Sequence, residues 1–151
     1  MFKTYALWIG LAEGVGALAG FLTREGSRAF SQQVVQPPLS PPAVAFPIVW
    51  GILFALMGIG AARVSLKENS RGALKLFGLQ LAVNFAWTLL FFNARFYGGA
   101  LMLLFLLLLL VIRMARAFYR KDRAAGWLQL PYVLWTAFAL YLNAGVWYLN
   151  G

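Results

Sequence analysis

The chain has 151 residues, of which 62% are hydrophobic, 17% aromatic and only 11% charged, with a formal net charge of +9. The length points to one domain, and the composition excludes an ordinary soluble fold in favour of an all-α integral membrane protein. With neither cysteine nor histidine present, disulfides, thiolate chemistry, the usual general base and the usual metal or haem ligand are all excluded, so no metal site and no cofactor is expected.

A bilayer needs about 17 to 25 predominantly apolar residues per spanning helix. Five stretches meet this: about 4–22, 46–64, 74–92, 99–118 and 126–149. The first has little cationic lead beyond Lys3 and no small-residue cleavage pattern, so it is read as a retained helix rather than a signal peptide. The cations alternate by connection. Lys3, the loop with Arg63, Lys67, Arg71 and Lys75, and the loop with Arg113, Arg116, Arg120, Lys121 and Arg123 carry ten of the 13 Lys and Arg. Arg24, Arg28 and Arg95 make up the other side. This positive-inside bias predicts a cytoplasmic N-terminus, with the first loop and the C-terminus outside. The basic excess is thus a topology and lipid-headgroup signal, and no nucleic-acid partner is expected.

The first span carries Gly10, Gly14, Gly16 and Gly20, the second Gly58 and Ala62, and the third Gly78, Ala82 and Ala86. Small residues at such spacing let helices approach closely in lipid. They predict packing within one bundle or a homodimer through the first or third span. Between the first two spans lies the only long connection, 23–45, whose segment 27–35 reads as a short amphipathic helix on the membrane surface, with Phe30, Val34 and Val35 facing down. Next, Pro37-Pro38-Leu39-Ser40-Pro41-Pro42 puts four prolines in six residues. Prolines remove donors and push the preceding residue toward extended backbone, so no helix runs through 37–42 and a stiff rim leads into the second span. The run 101–110 reads as a leucine face turned to lipid. Pro131 is expected to kink the fifth span beside Trp135.

Polar side chains in hydrocarbon need partners, which singles out Glu13, Asn84, Thr88 and Asn143. For Asn84 and Asn143 the plain reading is interhelical hydrogen bonding. Glu13 is read as a carboxyl kept neutral or paired with a polar neighbour, with a proton-coupled role as the alternative. Trp8, Trp127 and Trp147 suit an interfacial belt. Trp135 sits too deep for that, and with Trp50, Trp87, Asn84 and Asn143 at similar depth it suggests an aromatic cavity with sparse polar fixtures.

These residues carry a resemblance. Pro38-Leu39-Ser40-Pro41-Pro42, Phe46, Pro47 and Trp50, Asn84-Phe85-Ala86-Trp87, and Leu130-Pro131-Tyr132 followed by Trp135, Leu142-Asn143 and Trp147 together resemble the TspO/MBR family of tryptophan-rich sensory and translocator proteins, of bacterial type. The resemblance implies a five-transmembrane-helix bundle, usually dimeric, with the long first loop as a lid over a pocket for porphyrins such as protoporphyrin IX or other hydrophobic small molecules. It implies ligand contacts at Pro41, Pro42, Phe46, Trp50, Asn84, Trp87, Phe91, Tyr132, Trp135, Ala139 and Asn143. Trp50 and Trp135 match the two tryptophans tied to photo-oxidative porphyrin breakdown, the only catalytic roles on offer. Where many members have a Trp-Tyr pair in the first loop, this chain reads Arg28-Ala29-Phe30-Ser31, leaving Phe30 as a partial substitute. The sterol-recognition pattern of animal members is absent, since Tyr148 is followed only by Leu149, Asn150 and Gly151. The function expected is tetrapyrrole binding or sensing, with porphyrin propionates reaching Arg24, Arg28 or Arg95. Light-dependent degradation, or transport of porphyrin, sterol or lipid, are the alternatives.

Overall fold

The computed structural model describes all 151 residues and is all-helical. Its elements are α1 (Phe2–Leu22), α2 (Arg24–Gln33), α3 (Ala45–Ser65), α4 (Arg71–Thr88), which runs on into a π-helical turn (Leu89–Asn93), α5 (Tyr97–Lys121), α6 (Arg123–Trp127) and α7 (Leu130–Asn150). α1, α3, α4 with its π turn, and α5 are long and apolar enough to cross a membrane. α7 has 21 residues and no charged side chain, but its tyrosines, tryptophans and asparagines dilute its hydropathy. Large apolar side chains such as Leu7, Leu18, Ile52, Met102, Phe105 and Leu109 stand exposed around the bundle. This inverts a soluble surface, and it is the surface an integral membrane protein turns to lipid.

α1 packs mainly on α3, α5 lies between α4 and α7, and short α6 tucks against α3 and α5. The closest approach to a neighbouring backbone is α3 on α1. A Cβ at Gly58 would collide with the Ile9 backbone, and one at Gly16 would lie 2.5 Å from the Phe54 ring. Glycine at both positions therefore serves contact within one bundle. The core extends along α5 through Leu104, Leu107, Val111, Met114 and Phe118, all fully buried. Leu104, Leu107 and Leu110 correct the reading of 101–110 as lipid-facing throughout: one side of that leucine run is core.

Two segments differ from expectation. The fifth stretch is broken at Leu128–Gln129, so α7 starts at Leu130 with Pro131 in its first turn. There proline costs no hydrogen bond, so Pro131 initiates the helix and does not kink it. The segment 27–35 is helical only to Gln33, and it lies on the bundle, because Phe30 packs against Phe91 and Phe92 with ring centroids 5.2 and 5.4 Å away. Val34 is half-buried with it, whereas Val35 is exposed. α2 can come this close because Gly26 faces the Phe92 carbonyl, 2.5 Å from where a Cβ would sit.

Residues 34–44 contain no helix, as four prolines require. This strap is fastened along α7. The Asn150 carboxamide brackets Val35, accepting from its N–H at 3.1 Å and donating to its carbonyl at 2.7 Å. Pro37 seats against Gly145, and the Tyr141 hydroxyl donates to the Pro38 carbonyl at 2.6 Å. Leu39 then takes a left-handed backbone with φ 71°, and the Ser40 hydroxyl closes the turn on the Pro37 carbonyl at 2.7 Å.

At the opposite, basic end, Asp122 caps α6 by accepting from the Ala125 N–H and also accepts from Arg63 Nε, both at 3.2 Å. Burial pushes its carboxyl up, but these contacts outweigh burial and hold it below the ordinary carboxylate range.

Candidate functional site

A cavity of about 470 Å³ opens between α1, α3, α4 with its π turn, and α7, at the strap end of the bundle. Its walls follow from helical spacing. On α1 they include Glu13, Gly16, Ala17 and Gly20, on α3 Pro47, Trp50, Gly51 and Phe54, and on α7 Trp135, Ala139, Leu142, Asn143 and Val146. These are the i, i+3, i+4, i+7 sets that one helix face presents. The π turn supplies Phe91 and Phe92, while α2 and the strap add Arg24, Ser27, Phe30, Gln36 and Ser40. A π turn widens the helix by one residue per turn and re-aims the side chains it carries.

Three tryptophans form the aromatic wall. Trp50 lies 6.4 Å from both Trp87 and Trp135 between ring centroids, perpendicular to Trp135 at 89°. Phe46 meets Trp135 edge-on at 5.9 Å, and Phe54 stands 5.6 Å from Trp50. The indoles are used differently. Trp87 donates its N–H to Asn143 at 3.0 Å, and the same Asn143 donates to the Tyr97 carbonyl at 2.9 Å. Trp50 and Trp135 spend theirs on no protein acceptor, so both remain available to a ligand.

Below the cavity a buried polar network joins α4 to α7. The Tyr132 hydroxyl accepts from Asn84 Nδ2 at 2.7 Å and donates to Gln80 Oε1 at 2.6 Å, and Gln80 in turn reaches Met57 Sδ at 3.4 Å. Asn84 and Asn143 thus both have interhelical partners and line the cavity as well. Thr88 bonds its own helix, donating to the Asn84 carbonyl at 2.9 Å. Glu13 has no hydrogen-bond or ion-pair partner: the one ion pair in the protein is Arg63–Asp122. It is therefore not the paired carboxyl that was one of its expected states.

Of the residues expected at a ligand site, Phe46, Trp50, Asn84, Trp87, Phe91, Trp135, Ala139 and Asn143 line the cavity. Tyr132 lies beneath it, fully buried, and reaches it through Asn84. Pro41 is half-buried and Pro42 exposed, and neither is in the wall. The proline that fastens the strap is Pro37. Arg24 lies in the wall, Arg95 lines a separate surface groove beside Arg24 and Asn93, and Arg28 lines neither. Sequence reasoning passed over Gln80 and Gln129, both fully buried. Their polarity within apolar spans was the available signal. No group of acidic side chains is placed to hold a metal ion.

Residues 8–149 match the family model described as TspO/MBR family. Among similar proteins are the tryptophan-rich protein TspO of Chlorobaculum tepidum, 34% identical over 97% of this chain and 96% of its own length, and protein CrtK of Rhodobacter capsulatus, 38% identical over 81% of this chain and 79% of its own length. The translocator protein of Homo sapiens is 34% identical over 94% of this chain and 88% of its own length.

Proposed function

The chain belongs to the TspO/MBR family, and from that premise we propose that it is a membrane receptor for a tetrapyrrole of the protoporphyrin IX type, held against the indoles of Trp50, Trp87 and Trp135. The observation that carries this reading is the aromatic-lined cavity of about 470 Å³, within the 300 to 1,000 Å³ range of small-molecule sites. Flat rings gain from offset or edge contacts with indoles. The guanidinium of Arg24 at the mouth supplies a charge-assisted contact for a propionate. α2 and the strap form the lid, and α7 serves as the fifth span because a charge-free helix of 21 residues covers the hydrocarbon core. The ten-to-three cation asymmetry favours a cytoplasmic basic end, with the cavity opening to the other side. At Gly10 and Gly14 an added methyl group would meet nothing within 4 Å, which suits a second copy packing on α1.

The test is quenching of tryptophan fluorescence by protoporphyrin IX in detergent. Wild type should quench saturably, and Trp50→Phe with Trp135→Phe should weaken binding by about tenfold, the worth of two aromatic contacts of about 0.5 to 1.5 kcal/mol each. No saturable quenching, or unchanged affinity in the double variant, overturns the reading. Illuminating the complex tests the degradative reading: bleaching faster than that of free porphyrin, and lost with Trp135→Phe, adds that activity.

A further inference from the structure

The cavity wall contains two ionisable side chains, Glu13 and Arg24. Arg24 is engaged, donating to the Phe21 carbonyl at 2.7 Å and lying over the Phe21 ring. Glu13 is not. It stands midway along α1, half-buried, and the bundle offers it no donor and no cation. A carboxyl at membrane depth is expensive unless something pairs with it, which makes an unpaired one a mark of function.

Its surroundings indicate what would pair with it. On the same helix face the next wall residues are Gly16, Ala17 and Gly20, so no large side chain screens the carboxylate from the cavity. Across from them stand Phe54, against which Gly16 abuts, and Trp50, 5.6 Å from Phe54. A carboxylate and aromatic rings lining one cavity are the combination that binds an organic ammonium. The carboxylate takes a charge-assisted hydrogen bond, and the ring faces attract the cation.

From this geometry we infer that Glu13 makes the cavity a site for a second ligand class, hydrophobic aromatic amines bound in the protonated form, with nitrogen at Glu13 and the apolar body along Trp50 and Phe54. Arg24 gives the site a polarity. It stands beyond the end of α1, as the first residue of α2, where it repels a cation and leaves Glu13 as the one seat for it. The inference rests on the cavity being a ligand site, as the porphyrin reading also does.

The experiment compares N,N-dimethyl-2-(naphthalen-2-yl)ethylamine with its uncharged carbon isostere 2-(3-methylbutyl)naphthalene, by calorimetric titration of wild type and Glu13→Gln in detergent at pH 7. For each probe the ratio of wild-type to variant affinity cancels its partition into micelles. The loss on the amine should exceed the loss on the isostere by about tenfold, the worth of one charge-assisted contact. Equal losses on the two probes, or no loss on either, overturn the inference while porphyrin quenching in the same preparations still stands. If neither probe nor porphyrin binds wild type, both readings fall together.

Discussion

α1 and α3 meet twice, and the two meetings differ. Toward the basic end they touch backbone to backbone, with Gly58 against Ile9. Toward the strap end the same helices bring Gly20 and Gly51 to the cavity wall, where an added Cβ would meet nothing within 4 Å. The sequence spaces small residues alike in both halves, but in one half glycine admits a neighbouring helix and in the other it leaves open volume. A membrane bundle gains little from burying apolar surface away from lipid, so its packed half must hold by close contact and by polar links. Its open half can forgo both only if something else secures the ends. Here the strap and α2 do so.

The largest effect is expected where the packing is closest. Gly58→Leu forces a side chain into the Ile9 backbone, which cannot rotate aside, and should cost about 3 kcal/mol or more. Gly20→Leu, in the open half, should leave the melting temperature in detergent nearly unchanged and instead weaken porphyrin binding by occupying the cavity. Thermal denaturation of the two variants side by side checks this. Comparable destabilisation by both would mean that the halves do not differ as described.

Next in size is the boundary between the halves. Tyr132→Phe keeps the ring's edge contact with Trp50, 6.2 Å between centroids, but removes the hydroxyl that serves both Asn84 and Gln80. Two buried polar groups then lose their partner, at a cost of about 1 to 3 kcal/mol. Because Asn84 lines the cavity, affinity for porphyrin should fall together with the midpoint of denaturation. A variant with wild-type stability would show that Asn84 and Gln80 find each other without the tyrosine.

How far the sequence foretold this follows from the range of each interaction. Apolar run lengths located the long helices because a spanning helix is a local property. The proline cluster excluded a helix through 37–42 for the same reason. The tryptophans and asparagines of the wall were legible because polar and aromatic groups at membrane depth are few. The lining of α5 was not: when nearly every position is leucine, no periodicity separates Leu104 and Leu107, which are core, from Leu106 and Leu109, which are exposed. Gln80 is a polar residue in an apolar span, but what it bonds is set by Tyr132, 52 residues away. Pro131 was misjudged by a boundary, since a proline in a helix's first turn starts the helix and one further in kinks it. The strap's attachment was also out of reach, because Asn150 shows nothing in sequence to connect it with Val35.

That attachment gives the mildest of the expected effects and the one most confined to the open half. Asn150→Ala with Tyr141→Phe removes the two bonds to Val35 and the one to the Pro38 carbonyl while leaving Pro37 seated on Gly145. All three bonds are solvent-exposed, so their loss should cost about 1 kcal/mol or less of global stability. The consequence is local. Amide exchange should rise at the Val35 N–H and in α2, and bound porphyrin should leave several-fold faster, whereas exchange through α3 and α5 at the basic end stays as in wild type. If release is unchanged while strap exchange rises, the strap is an ornament on α7, and α2 alone, through Phe30 on Phe91 and Phe92, closes the cavity. If both rise together, the carboxamide on the last residue of α7 sets how long a ligand stays.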